Sequence, residues 1–461
     1  MLTNELIESE IIDLLEKNPL DRNKYLTSIL GILKSMNFGT ILCLDGEWGT
    51  GKTVFCKQLE YILNADDVIK FPITAGNPNK RFYGDYIAMY FNAWENDLYP
   101  NPLNSLIRGL IDKLALLNPE FKTSEDVMEK AVKVLEIISN CGLGVISGGA
   151  ITTEEIKKLS SDKDFFDDTF ANLSRQKDKV SELLNIFTKE KKIVIILDEL
   201  DRCKPLYAVE VLEVMKHFFV HERVTFLVSC NKRELACTVK GMYGQDFDGF
   251  KYLDRFFAVN LYMPRPVVEN YIKFIMGPGI EKAAHPIYLI LPCGYFDFNL
   301  REINRYYTHF RILSGLIAGN KFQITKSDDS EYLRRIVTPY LLGLKMKSAV
   351  AYRDFFTTEG FDGYVEYVRV VLFPYFQKVD NFGMLNNRGE LDIEKMKEGH
   401  NDLCLAFDES FQNYLNRDSS SFSLMAKAIL ESLYFMSGFN DNSVFEQSAI
   451  EQNNRYLALD S

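Results

Sequence analysis

The sequence predicts an α/β protein: a doubly wound, mainly parallel five-stranded sheet, with an inserted helical region and a helical C-terminal domain. Three observations predict this fold. Short apolar runs rich in β-branched residues alternate with longer amphipathic runs of helical period through the first 310 residues. A glycine-rich loop follows the first apolar run, and an acidic pair follows the third. Beyond about residue 310 the strand signal fades and the helical pattern continues.

Five segments are predicted as strands because they are short, apolar and bounded by turn residues. The third is apolar on both faces, which is typical of a strand buried inside a parallel sheet. The predicted strands are 39–44, 85–91, 193–197, 224–230 and 257–263.

The chain is expected to divide near residue 310. Residues 1–310 form the predicted sheet domain, with a helical insertion at 101–190 and a helical lid at 265–310, and residues 311–461 form the C-terminal domain. Two amphipathic helices are predicted within 5–36, the second with Asp21 as its N-cap.

Composition narrows the function classes. The net charge of −11 argues against broad nonspecific nucleic-acid binding, although a local basic face stays open. Eight cysteines without a C-x-x-C pair indicate reduced thiols and a cytoplasmic location. The uncharged, glycine-rich stretch 137–152 would span roughly 24 Å as a helix, short of the roughly 30 Å of a bilayer core, so no stable membrane span is expected.

The first functional motif is a phosphate-binding loop of the pattern G-x-x-x-x-G-K-[ST]. Its glycines let backbone N–H groups surround an anion, and the following helix adds its positive N-terminal dipole. Lys52 is expected to reach the β- and γ-phosphates, and the Thr53 hydroxyl to bind Mg²⁺. The predicted nucleotide-binding residues are Gly46, Glu47, Trp48, Gly49, Thr50, Gly51, Lys52, Thr53 and Val54.

The second motif is the acidic pair Asp198-Glu199 at the end of the third predicted strand. Asp198 is expected to hold Mg²⁺, and Glu199 to orient and deprotonate the attacking water. A second acid directly after the metal acid indicates hydrolysis. Taken alone, the pair fits a capped strand-to-helix turn as well as it fits a catalytic site. The phosphate loop upstream favours the catalytic interpretation.

The segments around these motifs resemble the KAP family of P-loop NTPases, over about residues 15–310. The resemblance implies the additional-strand, catalytic-glutamate class, in which one strand separates the phosphate-loop strand from the acidic-pair strand. Many members carry transmembrane helices between the two motifs, and this sequence is similar to the soluble members. Bacterial members are associated with phage exclusion. The segments that carry the resemblance are 20–22, 91–94, 198–205 and 252–257.

Two asparagines and a tryptophan are further candidates. Asn231 ends the fourth predicted strand and is expected to act as a γ-phosphate sensor, with a strand-end turn as the alternative. Asn92 ends the second strand, where a water-positioning role and a structural role are equally supported. Trp94 is expected to be a packed anchor rather than a base-stacking platform.

Three arginines are candidates for stabilising the charge that develops during phosphoryl transfer. Arg202 can be a finger reaching across a subunit interface or the partner of Asp201 or another acid. Arg255 is a weaker finger candidate, because the family pattern favours lysine there. Arg301 opens a predicted helix and resembles the lid arginine that reads the γ-phosphate, with a solvated basic face as the alternative.

These observations predict a Mg²⁺-dependent ATPase whose cycle drives a conformational or assembly switch. Adenine is favoured because the guanine motif N-K-x-D is absent: Asn231-Lys232 lacks its aspartate. A homo-oligomer or a protein partner is expected through the helical regions. A nucleotide-regulated scaffold with little turnover and a nucleic-acid-stimulated ATPase are the alternatives.

Overall fold

The computed structural model describes residues 7–36, 38–65, 85–99, 101–117, 163–277, 287–319, 333–356, 358–372, 374 and 390–408. The stretch 137–152 and half of the predicted insertion, residues 118–162, lie outside these residues. The described chain divides into two compact units, Met1–Pro266 and Val267–Ser461.

The first unit is built on one sheet of five parallel strands, in the order β2-β3-β4-β1-β5. The fourth strand lies between the first and the third, which confirms the topology that the resemblance implies. The strands are β1 (Ile41–Asp45), β2 (Tyr86–Asn92), β3 (Lys192–Asp198), β4 (Val224–Cys230) and β5 (Val259–Tyr262).

Helices cover both faces of this sheet, and a single 3₁₀ turn, Leu200–Arg202, follows β3. The helices are α1 (Glu8–Lys17), α2 (Asn23–Ser35), α3 (Lys52–Asn64), α4 (Ala93–Asn96), α5 (Pro102–Leu117), α6 (Lys163–Phe187), α7 (Pro205–Phe218), α8 (Lys232–Tyr243) and α9 (Gly249–Leu253).

Successive side chains of each strand point to opposite faces of the sheet, so they pack into two separate hydrophobic cores. On β1, Leu42 and Leu44 pack with α1, α2 and α3 on one face, whereas Cys43 packs with α5 to α8 on the other. Because both faces are covered, the central strands β3 and β4 are almost entirely buried.

The N-cap of the second helix is Arg22, and its side chain makes no capping hydrogen bond. The Asn18 Oδ1 accepts hydrogen bonds from the backbone N–H of Arg22 at 2.9 Å and of Asn23 at 3.2 Å. Asp21 has a left-handed backbone (φ 52°) and its Oδ1 accepts from the Asn18 side chain. The Asp21 prediction is therefore wrong, because the helix begins one residue later and the Asp21 carboxylate is engaged by Asn18.

The second unit is helical in its described part and has an aromatic core. Tyr340 lies at its centre, with ring centroids 4.7 Å from Tyr367 and 5.1 Å from Tyr364. Its elements are α10 (Val268–Met276), α11 (Ile287–Tyr295), α12 (Leu300–Gly319), a π-helix (Leu333–Val337), α13 (Thr338–Lys347), α14 (Ala349–Asp354), α15 (Thr358–Tyr367), a second π-helix (Val368–Leu372) and α16 (Ile393–Asp408).

Candidate active site

The site lies at the carboxyl edge of the sheet, because the strand register brings the ends of neighbouring strands level. Asn92 pairs with Asp198, Asp198 with Ser229, and Asp45 with Cys230. Loops that follow β1, β2, β3 and β4 therefore converge on one crevice, the usual place for ligands in an open parallel sheet.

The phosphate loop leaves β1 in a conformation that requires glycine. Gly49 and Gly51 have φ angles of 79° and 85°, where a side chain is disfavoured. At Gly46 the reason is space, since a Cβ there would lie 2.8 Å from the Met263 Cβ. The Gly46 N–H donates to the Cys230 carbonyl at 3.1 Å and fixes the loop to the end of β4.

Lys52 begins α3, and its side chain turns back over the loop. Its ammonium donates to the carbonyls of Gly46 at 2.5 Å and Glu47 at 3.1 Å, and the residue is only 9% exposed. These contacts hold the positive charge at the loop, where an anion would meet both the ammonium and the helix N-terminus.

A hydrogen bond joins the two predicted motifs. The Thr53 Oγ1 donates to the Asp198 Oδ2 at 2.7 Å, and Ser229 donates to the Asp198 Oδ1 at 2.7 Å. The Tyr90 hydroxyl also donates to the Asp198 Oδ2, at 3.1 Å. Asp198 is 1% exposed, so three hydroxyl donors stabilise its buried carboxylate and fix its orientation.

Glu199 follows directly, with a left-handed backbone at φ 62°. A non-glycine residue in this region costs about 1–3 kcal/mol, and such strain clusters at functional sites. Burial raises the pKa of Glu199, and the Asp198 and Asp201 carboxylates add to the rise, whereas Arg202 and Asn92 oppose it. A raised carboxyl pKa suits a general base, because it strengthens the group's affinity for a proton.

Arg202 forms an ion pair with Glu199, with its Nη1 3.0 Å from the Glu199 Oε1. Asp201, the acid considered from the sequence, instead accepts from the Trp48 Nε1 at 2.5 Å. The Arg202 guanidinium also lies over the Trp94 ring, 5.6 Å from its centroid. Trp94 is 47% exposed, so it is not the packed anchor expected. A finger role for Arg202 stays a prediction.

The comparison with protein-family models returns a match that agrees with this geometry. The model of the KAP family P-loop domain matches residues 22–286, more than half of the chain. The chain belongs to the KAP family. A comparison with curated proteins finds no match. Within the described residues of this KAP-family chain, no helix is long and apolar enough to cross a membrane.

The two candidate asparagines, Asn231 and Asn92, are N-caps of the helices that follow β4 and β2. The Asn231 Oδ1 accepts from the Glu234 N–H at 3.4 Å, and the Asn92 Oδ1 accepts from the N–H groups of Trp94 and Glu95 at 3.1 and 3.4 Å. Both residues lie at strand ends in the crevice, so capping fixes each side chain beside the site. Their sensor and water-positioning roles stay predictions.

The two remaining candidate arginines, Arg255 and Arg301, are both exposed. Arg255 is exposed after α9, and its carbonyl accepts from the Lys216 ammonium at 2.9 Å. Arg301 is exposed in the first turn of α12, where Asn299 and Glu302 form a reciprocal cap with hydrogen bonds of 3.0 and 2.8 Å. Arg301 belongs to the second unit, and its lid role stays a prediction.

Sequence reasoning did not assign a role to three residues of the candidate site. Ser229 and Tyr90 orient Asp198, and Arg22 supports the loop: its Nη1 donates to the Thr50 carbonyl at 2.7 Å. Ser229 was detectable as a hydroxyl near the carboxyl end of a largely apolar strand. Arg22 lies in the segment 20–22 that carries the resemblance, but its sequence position alone does not show that it contacts the loop. Tyr90 gave no signal, because a tyrosine in a strand is common.

Proposed function

We propose that this KAP-family chain binds ATP with Mg²⁺ and hydrolyses it, and that the cycle drives a conformational or assembly switch. The observation that carries the proposal is the Thr53–Asp198 hydrogen bond, which brings the two motifs together with Glu199 beside them. Nucleotide binding follows from the family; hydrolysis, the metal and the switch are the proposal.

The residues present fit both ligands. Glycine-supported backbone N–H groups, the α3 N-terminus and Lys52 suit a polyphosphate. The Thr53 hydroxyl and the Asp198 carboxylate are the oxygen ligands that Mg²⁺ prefers, and they already lie 2.7 Å apart. When bound, the metal neutralises charge that develops on the phosphates.

Glu199 is proposed as the general base. Its carboxylate lies one residue beyond Asp198, and its burial favours proton uptake from a water beside the γ-phosphate. Asn231 and Asn92, fixed by their caps, are proposed to orient that water or the γ-phosphate. Lys52, Arg202 and Arg301 are the candidate cations for the transferred phosphoryl group.

We propose that the helical second unit transmits the cycle, with Arg301 in a lid and with a homo-oligomer or protein partner bound through the helical regions. A cytoplasmic anti-phage role is the biological setting that the family resemblance favours. The proposed division remains residues 1–310 as the NTPase domain and 311–461 as the C-terminal domain.

One observation favours a second function, a nucleotide-regulated scaffold with little turnover. The Arg202–Glu199 ion pair occupies the carboxylate that hydrolysis needs as a free base. If the pair persists with ATP bound, the nucleotide acts as a structural ligand and turnover stays slow.

Replacement of Lys52 tests the shared first step of both functions. Lys52→Ala removes the charged donor, and each hydrogen bond to a charged group contributes about 1.5–3 kcal/mol, so we expect ATP affinity to fall roughly 10- to 150-fold. Calorimetry with Mg-ATP and steady-state phosphate release measure the two consequences. Lys251→Ala, at a lysine whose side chain is 86% exposed, is the control. Unchanged affinity and turnover in Lys52→Ala would contradict the proposed site.

A further inference from the structure

Another hydrogen bond joins the two motifs, beyond the contact between Thr53 and Asp198. The Trp48 Nε1 in the phosphate loop donates to the Asp201 Oδ2 in the 3₁₀ turn, at 2.5 Å. The loop follows β1 and the turn follows β3, and β4 lies between these two strands. Since neighbouring strands lie about 4.8 Å apart, β1 and β3 are separated by roughly 10 Å. A large side chain such as an indole is therefore needed to join the two segments, and its ring N–H makes the contact directional.

Asp201 is a buried carboxylate, and Trp48 is the group that satisfies it. Asp201 is 8% exposed, and among the described residues its side-chain hydrogen bond comes from Trp48. A buried carboxylate without a donor is costly, so this N–H stabilises the charge inside the turn. Trp48 is 45% exposed, so burial in a core does not hold its ring in place. The hydrogen bond therefore fixes both the loop side chain and the turn.

Glu199 lies between the two contacts along the chain. Before it, three hydroxyl donors hold Asp198, and after it Trp48 holds Asp201. The left-handed backbone of Glu199 is a strained conformation, which persists only where the surrounding structure fixes it. The Arg202 N–H donates to the Glu199 carbonyl at 3.1 Å, so a displacement of the turn reaches the Glu199 backbone directly.

We propose that Asp201 and Trp48 are positioning residues, whose hydrogen bond sets the distance between the phosphate loop and the turn that follows Glu199. The Glu199 carboxylate then meets a water beside the γ-phosphate in one fixed geometry, as an efficient proton transfer requires. Neither Asp201 nor Trp48 takes part in the proton transfer itself. This role rests on the proposed hydrolysis and names the contact that aligns its base.

Three variants separate the hydrogen bond from the charge. Trp48→Phe keeps an aromatic ring but lacks the N–H donor, Asp201→Ala lacks the acceptor, and Asp201→Asn keeps an acceptor oxygen without the charge. Asp13→Ala, at an aspartate whose side chain is 43% exposed, is the control for Asp201→Ala. On the full chain with Mg²⁺, calorimetry with a nonhydrolysable imido analogue of ATP measures affinity, and steady-state phosphate release from ATP measures kcat.

We expect Trp48→Phe and Asp201→Ala to lower kcat by roughly 10- to 100-fold, the effect of misplacing a catalytic group by about 1 Å, with the affinity for the analogue unchanged. The retained affinity shows that the variants are folded. Because the two side chains act through one contact, the double variant should be no slower than the slower single variant. Asp201→Asn should recover most of the lost turnover, since its amide oxygen still accepts from the indole.

Unchanged kcat in both single variants, losses that add up in the double variant, or an Asp201→Asn chain as slow as Asp201→Ala would overturn the positioning role and leave the proposed hydrolysis standing. An equal loss of affinity and turnover would also overturn it, because the pair would then support the fold or the binding site as a whole. If the wild-type chain releases no phosphate, the proposed hydrolysis itself fails, and the positioning role fails with it.

Discussion

Glu199 and Arg202 form the contact on which the proposed turnover depends most. Burial pushes the Glu199 pKa up and the Arg202 charge pushes it down, so the two effects oppose each other at one carboxylate. The ion pair is largely shielded from solvent, with side chains 29% and 14% exposed, so its field is screened less than that of a surface pair. Arg202 therefore lowers the pKa of the proposed base, whichever further role it has.

Arg202→Gln should move the acidic limb of the kcat–pH profile to higher pH. A general base works when deprotonated, so the rate falls as the pH drops through its pKa. Without the arginine charge, burial and the neighbouring carboxylates raise that pKa further. The profile of phosphate release between pH 5 and 9 measures the shift.

Arg255→Gln, at an exposed arginine outside this contact, is the matched control for Arg202→Gln. A limb that stays in place, or moves to lower pH, would show that Arg202 does not set the Glu199 pKa.

At the scale of elements, the Asn18 side chain stabilises the α1–α2 turn. Its Oδ1 accepts from the N–H groups of Arg22 and Asn23 at the start of α2, and its amide donates to Asp21. A hydrogen bond of this kind contributes about 0.5–1.5 kcal/mol net. We expect Asn18→Ala to lower the free energy of unfolding by about 1 kcal/mol, measured by urea denaturation.

Asp21→Asn is the comparison for Asn18→Ala, because asparagine tolerates the left-handed backbone and keeps an acceptor oxygen. It should change the unfolding free energy by less than Asn18→Ala does. A larger effect of Asp21→Asn would mean that the Asp21 side chain, and not that of Asn18, stabilises the start of α2.

The elements that the sequence predicted best are those with a strong local pattern. The strand Val224–Cys230 was predicted at its observed ends, because an apolar run between turn residues defines both limits. Sequence spacing failed at Asp21, which has a positive φ angle, and the N-cap is Arg22, one residue later. The Tyr90 and Ser229 contacts to Asp198 were beyond prediction, since they depend on the register of β2, β3 and β4.

For the whole molecule, the placement of the tryptophans gives a direct reporter. The chain has two, Trp48 in the phosphate loop and Trp94 over Arg202, and both are nearly half exposed. We expect Mg-ATP to change the intrinsic tryptophan emission, because nucleotide at the loop alters the surroundings of Trp48. Titration by fluorescence measures it, and Lys52→Ala should abolish the change.

Trp94→Phe separates the two signals by leaving Trp48 as the reporter of the loop. A nucleotide-dependent change that persists in Lys52→Ala would mean that ATP binds elsewhere on the chain, and the switch would then need another origin.

The central claim is that Glu199 turns a nucleotide-binding site into a hydrolytic one. The most direct measurement compares ATP affinity and steady-state turnover in the wild type and in Glu199→Gln, which keeps the shape of the side chain but cannot take a proton. We predict affinity within about threefold of the wild type and a turnover lower by roughly 10²–10⁴-fold, the usual contribution of a general base. Wild-type turnover in Glu199→Gln would contradict the account.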